Sequence, residues 1–440
     1  MSLLNLPNEL LFAIAKELPR EKSVSALART NRFLFSALND YLYAHNVRHH
    51  NASALYWAAK NGNTVTAANS ITNGADVNAQ KSQAVALALR GKQLKMTCFL
   101  LAKGADPNCT DNSGESLLWS ASHIRLMGFV QALLNNGTDP NIRNNQGETV
   151  LFRAVRFSYL PIVRLLIDSP KGVDVNAIDR SGQTPLYDLI STWTITRRRV
   201  FRLLLERGAN AEHADNDGTT PLIHAIRYYN EDAVRLLLQH QVNLQHTDKN
   251  GKSALHVAVE NGRAFLVMLI VSYGANIEAK NAQGRSPLHL AVSRDDQDIT
   301  LFLLGKGANP ETKDSERRTP LHTAAGSIAL GMILLGRGVK ACVPDIQGNT
   351  PLHLAAKAGN ETVVKRLLEL RADAGYVDHS GRTPLHMAAA AGSEPIIELL
   401  LRHGAHSNPK DISGLTPSDY APVGTHQSVK DFIAKRRQRT

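Results

Sequence analysis

Histidine is the residue whose abundance invites a chemical reading, since the 440-residue chain holds 17 of them. That is enough for a metal site or an acid–base pair. Four of them, however, close the same short phrase: Ser286 to His289 reads Ser-Pro-Leu-His, and Thr319 to His322, Thr350 to His353 and Thr383 to His386 read Thr-Pro-Leu-His. Recurrence at one position of a repeated unit accounts for His289, His322, His353 and His386 without ligation or catalysis. His49 and His50 have no cysteine or acidic partner at zinc-ligand spacing. Cys98, Cys109 and Cys342 form no Cys-x-x-Cys pair, and their odd number suits no disulfide framework, which fits a reducing compartment. Cys98 reads as part of a helix's apolar face. No phosphate loop ending in Gly-Lys-Ser/Thr, no Gly-x-Ser-x-Gly elbow and no His-Glu-x-x-His occurs. The sequence therefore predicts a non-catalytic protein with no cofactor and no metal.

The elements around the phrase are legible in Asp378 to Lys410. Asp378, Ser380 and Gly381 supply turn chemistry, Gly381 being free to take a positive φ. Thr383 offers a helix cap and Pro384 sits at the first helical position, where its missing N–H costs nothing. Leu385, Ala388 and Ala389 give that first helix a small apolar face. Ile396, Ile397, Leu399 and Leu400 recur at helical spacing on a second helix, which Gly404 terminates. The same register runs upstream through Asp345, Asp314, Asn281, Asp248, Asp215, Asp179, Asn144 and Asp111. Earlier copies keep only the helix-end signature, as Gly74-Ala75-Asp76-Val77-Asn78 and Gly104-Ala105-Asp106-Pro107-Asn108.

This period and phrase resemble the ankyrin repeat. The resemblance implies an all-α solenoid with short β-hairpin loops, in which the phrase histidine connects neighbouring loops by hydrogen bonds and the array binds other proteins. About eleven repeats are expected in 51–410, followed by a degenerate capping repeat in 411–440 that keeps Thr416 and Pro417. That last segment ends in Lys435, Arg436, Arg437 and Arg439, either a solvated basic cap or a nuclear signal. A content of 43% hydrophobic but only 5% aromatic residues suits a core of Ala and Leu. The net charge of +11 permits acidic proteins or nucleic acid as partners, but no nucleic-acid-binding signature accompanies it. Nucleic acid is not the expected partner. No run of about 20 apolar residues offers a membrane span, and Glu9 and Glu17 interrupt the N-terminal apolar run, so no membrane association is expected and the predicted address is cytoplasm, nucleus or both.

Residues 1–50 follow another pattern, without the phrase or the Gly-Ala step. Leu6-Pro7-Asn8-Glu9-Leu10-Leu11 continues with Ile14 and Leu18 on one helical face, a second helix carries Leu27, and a third carries Phe33 and Leu34. The order resembles the F-box. That resemblance implies a three-helix module in which Leu6, Pro7, Leu10, Leu11, Ile14, Leu18, Leu27, Phe33 and Leu34 dock on a Skp-type adaptor of a cullin ubiquitin ligase. The chain would then act as a monomeric adaptor in that complex, selecting a protein for ubiquitination while associated subunits perform the transfer. The alternative is a segment that only caps the array, leaving a protein-binding scaffold or inhibitor without a ligase.

In an ankyrin array the residues just after the small pair of the first helix face the groove. Here those positions include Arg156, Phe157, Arg227 and Tyr228, with Tyr229 beside them. The repeat between them is longer than the rest, and its excess falls around Trp193 to Arg199, expected as a surface loop carrying Trp193, Arg197 and Arg198. Cationic and aromatic groups are common binding hot spots, and they predict an acidic or aromatic-rich protein segment as ligand. Trp193 and Phe157 have a second reading, packing over a widened repeat junction.

Overall fold

The computed structural model describes residues 40, 42–48, 52–123, 125–422 and 430–431. The residues expected to dock on a Skp-type adaptor, Leu6 to Leu34, lie outside these, as do Lys435 to Arg439. The chain divides into two compact units, Met1–Asn210 and Ala211–Thr440.

In the first unit the described helices come in pairs: α1 (Ser53–Asn61) and α2 (Thr64–Thr72), α3 (Ala79–Arg90) and α4 (Leu94–Ala102), α5 (Leu117–His123) and α6 (Met127–Asn135), α7 (Val150–Arg156) and α8 (Leu160–Ile167), α9 (Pro185–Asp188) and α10 (Ile195–Glu206). The second unit continues with α11 (Pro221–Arg227) and α12 (Glu231–Gln239), α13 (Ala254–Glu260) and α14 (Ala264–Ser272), α15 (Pro287–Ser293) and α16 (Gln297–Gly305), α17 (Pro320–Ala324) and α18 (Ile328–Leu335), α19 (Pro351–Lys357) and α20 (Glu361–Glu369), α21 (Pro384–Ala390) and α22 (Glu394–Arg402), then a 3-10 turn at Pro417–Tyr420. Inside each unit the first helices of successive pairs pack on one another.

Side-chain size decides which helix sits where. Ala355 and Ala356 of α19 are fully buried, and small residues let the neighbouring first helices approach closely. On α20, Val363, Val364, Leu367 and Leu368 are buried, a repeat of one, three and one positions that makes a single apolar stripe. Each such side chain removed from water contributes roughly 1.5–3 kcal/mol. Cys98 was expected on the corresponding stripe of α4, but Met96, Thr97, Leu100 and Leu101 fill it and Cys98 is exposed. The stripe is one residue out of phase with the sequence reading.

The phrase histidines join one pair to the next. His322 Nδ1 accepts from the Thr319 N–H at 3.0 Å and lies 2.9 Å from the Thr319 hydroxyl, which donates to it. Its Nε2–H then donates to the Asn349 carbonyl of the following repeat at 3.2 Å. His256, His289, His353 and His386 repeat the arrangement on the carbonyls of Arg285, Arg318, Arg382 and Leu415. Burial pushes all five imidazoles below the ordinary histidine range, so they are neutral Nε2–H tautomers.

The loops between pairs are turns rather than strands: among the described residues only isolated antiparallel bridges occur, Thr110 with Ser116 and Thr247 with Ser253. At Asp248 the carboxylate accepts from the N–H groups of Asn250 and Lys252 at 2.9 and 3.0 Å, closing an Asx turn. The Lys249 N–H then reaches back to the Asp217 carbonyl of the preceding tip at 3.0 Å, and the Ala282 N–H to the Asn250 carbonyl at 2.9 Å. Such rungs make a backbone ladder along the tips. Gly251 is fixed by it twice over: its φ is +69°, and a Cβ there would lie 2.7 Å from the Ala282 nitrogen.

A second ladder runs at the helix-end signature. In the first unit Asn78 Nδ2 donates to the Gly104 carbonyl at 2.9 Å while its Oδ1 accepts from the Asp106 N–H at 2.7 Å. Asn141 and Asn176 do the same for the next copies. In the second unit Glu212, Glu278 and Glu311 take the acceptor half of that role.

Candidate protein-binding surface

The predicted site residues fall in both units, and each group is built by its own repeats. In the first unit Arg156 ends α7 and its Nη2 reaches Glu148 Oε1 at 2.5 Å and Asp188 Oδ2 at 3.0 Å, with Nε 3.3 Å from Asp188 Oδ1. Burial pulls the guanidinium toward the neutral form, but Asp188 and Glu148 outweigh it and hold Arg156 above its ordinary range. Burial likewise keeps the Asp188 carboxyl above the usual carboxylate range despite Arg156. This cation is engaged inside the chain.

Arg197 and Arg198 are not on a loop. The extra residues of the long repeat lengthen α10 at its N-terminus, where the Thr194 hydroxyl accepts from the Arg197 N–H at 3.2 Å, while α9 shrinks to one turn. A cation at a helix N-terminus opposes the helix dipole. Arg197 escapes by turning its guanidinium to the C-terminal ends of α9 and α7, donating to the Asp188 carbonyl at 2.6 Å and the Arg156 carbonyl at 2.7 Å. Trp193 folds back edge-on to the buried Phe201, ring centroids 5.5 Å apart. Arg198 is exposed.

Phe157 remains on the surface at 42% exposure, braced by neighbours that the sequence reading did not single out. The Arg153 guanidinium lies 4.8 Å over its ring and 5.5 Å over the buried Trp119. Tyr159 stacks beside it at 5.7 Å, and Arg125 lies 4.1 Å over Tyr159. The signal for these partners was present, since Arg125 and Tyr159 both sit in the short connection between the helices of their pair.

In the second unit Arg227 closes on Asp248 Oδ2 at 2.7 Å and on the Thr219 hydroxyl at 3.0 Å. The same position in the next repeat, Glu260, pairs with Lys252 at 2.8 Å. One register position thus returns to the residue just before its own helix cap, with either sign of charge. Tyr228 and Tyr229 stay 51% and 50% exposed; Tyr228 lies 4.6 Å from His224, and Arg263 lies 4.6 Å over Tyr229.

A sequence model for ankyrin repeats, written as three copies, matches residues 117–215, 194–281, 264–345 and 328–411. The chain belongs to the ankyrin-repeat family. Among solved structures, the ankyrin repeat domain of Bcl-3, a member of the IkappaB protein family, is 29% identical and covers 50% of this chain and 100% of that one, with a TM-score of 0.43. The human ASB11 ankyrin repeat domain is 27% identical and covers 50% of this chain and 98% of that one, with a TM-score of 0.44. No curated protein matches the sequence. Ankyrin repeats are protein-binding scaffolds, and Phe157, Tyr228 and Tyr229 are each about half-exposed. No helix among the described residues is long and apolar enough to cross a membrane.

Proposed function

We propose that this ankyrin-repeat protein is a substrate-recognition adaptor: its repeats hold a protein target, and its first fifty residues dock on a Skp-type adaptor of a cullin ubiquitin ligase. The target-binding half rests on one observation, that Phe157 and Tyr229 are held half-exposed by stacked arginines, with Tyr228 alongside. An aromatic ring fixed before binding loses little side-chain entropy when a partner covers it. Arg156 and Arg197 in the first unit, and Arg227 in the second, hold the helix ends and tips beside the rings of their own unit, and Arg198 adds exposed charge for an acidic segment. The ligase half rests on Leu6, Pro7, Leu10, Leu11, Ile14 and Leu18 and on Leu27, Phe33 and Leu34. In such an adaptor the chain works by proximity, raising the effective concentration of a target lysine beside the ligase's own catalytic subunits.

The family match is to ankyrin repeats alone, from residue 117 onward, and it supports equally a second reading, an ankyrin scaffold or inhibitor that joins no ligase. Binding of the full-length chain to a purified Skp adaptor separates the two. The adaptor reading expects a complex that is lost on combined Leu6→Ala, Pro7→Ala and Leu10→Ala substitution with the repeats still folded. No complex with the wild-type chain leaves the scaffold reading in place.

A further inference from the structure

Among the described residues the tip ladder begins only at Asp111. From Gly104 to Ser116, from helix end to the next helix cap, the chain takes twelve steps, but from Gly74 to Gln83 it takes only nine. The three absent residues are those that make a tip elsewhere. The shortened connection instead runs through Gln80, Lys81 and Ser82, all left-handed with φ of 52°, 58° and 55°, and the Asx turn at Asp111 has no tip before it to stack on.

Four observations mark the place. The Asn112 N–H corresponds to the N–H groups of Asn145 and Arg180, which donate to the Ser113 and Gln146 carbonyls at 3.0 and 2.9 Å, and it makes no such bond. Asp111 is exposed, whereas Asn144 and Asp179, at the same register position in the same unit, are partly buried. The Oε1 of Gln83, which follows the left-handed residues within α3 and stands where the other first helices have their cap, has no hydrogen-bond partner although solvent does not reach it. A cleft of ≈ 290 Å³ lies there, lined by Gln83, Leu89 and Arg90 on one side and Asp111, Glu115 and Leu117 on the other. The helix-end rung from Asn78 to Asp106 is kept, so the two repeats are still joined at that level while the tip level is open.

We propose that this cleft is a docking site for a tight Asx-Gly turn on a partner protein, which enters where the tip is absent and offers its carbonyl to the Asn112 N–H. The occupant follows from continuity with the ladder: the next tips of the same unit receive such a turn from the repeat before them. Strand addition to an open sheet edge is the related device, here applied to a turn. The site is separate from the aromatic surface, so its failure leaves the adaptor reading untouched.

The probe is a peptide of residues Thr247–Ser253 carrying Thr247→Cys and Ser253→Cys, oxidised to a ring so that it holds a tip of this chain. Titrated into the full-length protein by NMR or calorimetry, it is expected to bind saturably with one-to-one stoichiometry. Asn112→Pro removes the open donor at a turn position that favours proline, and the loss of one hydrogen bond is expected to weaken binding about fivefold. Inserting Asp-Lys-Asn between Gln80 and Lys81 together with Lys81→Gly rebuilds an Asp-x-x-Gly tip and is expected to abolish binding, while Phe157→Ala leaves it unchanged. Absence of saturable binding to the wild type, or equal binding by all variants, overturns the proposal. Self-association of the wild-type chain in sedimentation, lost in Asn112→Pro, overturns it in favour of a second copy.

Discussion

At the scale of single residues, Arg317 stands where most other tips have glycine. Its φ is 59°, its side chain is exposed and no ion pair holds it. A left-handed backbone costs a residue with a Cβ roughly 1–2 kcal/mol, so Arg317→Gly is expected to stabilise the protein by about 1 kcal/mol after the extra freedom glycine gives the unfolded chain; thermal unfolding reads it as a higher midpoint. The phrase histidines make a prediction with a sign. Unfolded, they titrate near the ordinary ~6.5, but burial holds His256, His353 and His386 below that in the fold. Below about 6.5 the unfolded state therefore binds more protons, and stability is lost as the pH falls toward the folded values, at up to ~1.4 kcal/mol per pH unit for each group. The urea midpoint is expected to be lower at pH 5 than at pH 7.5. His353→Gln is expected to lower stability at pH 7.5 by about 1–3 kcal/mol, because the Thr350 N–H and the Arg382 carbonyl lose a partner, and to flatten the pH dependence.

At the scale of elements, the long repeat shows how an insertion is absorbed. Its extra residues lengthen α10 while α9 shortens, and Arg197 closes the ends of α9 and α7 that the change left open. Arg197→Met keeps most of the aliphatic stem but removes both donors, and a loss of about 1–3 kcal/mol in denaturant unfolding is expected. This was not legible in the sequence, where the excess residues around Trp193 to Arg199 fall between two helices and were expected to lengthen a surface loop. The tertiary contacts of Arg197 and Trp193 favour the longer helix instead. The turn chemistry of Asp-x-x-Gly and the Thr-Pro start of the first helices, by contrast, were fully written in residue type, since each acts through its own backbone and needs no distant partner.

At the scale of the whole molecule, the repeat register gave the helix pairs, their order and their core from Asp111 onward, because each unit is decided by its immediate neighbours. The candidate surface was legible only in part. Register placed Phe157, Arg156, Arg227 and Tyr228 after their first helices, but it could not say that the arginines would turn onto Glu148, Asp188 and Asp248 while Phe157 and Tyr228 stayed outside. That choice depends on charges from a following repeat and on the residue before the helix cap. The tip ladder carries one more consequence. Each rung uses a backbone N–H, so any residue but proline can occupy the position that makes it, and the chain has placed Asn145, Arg180, Lys249, Ala282, Ser315, Ile346, His379 and Ile412 there. Stacking and recognition are thereby written in different parts of the same residue. The tips can change their side chains through evolution, and a designer can rewrite them, while the instructions for assembling the repeats stay intact.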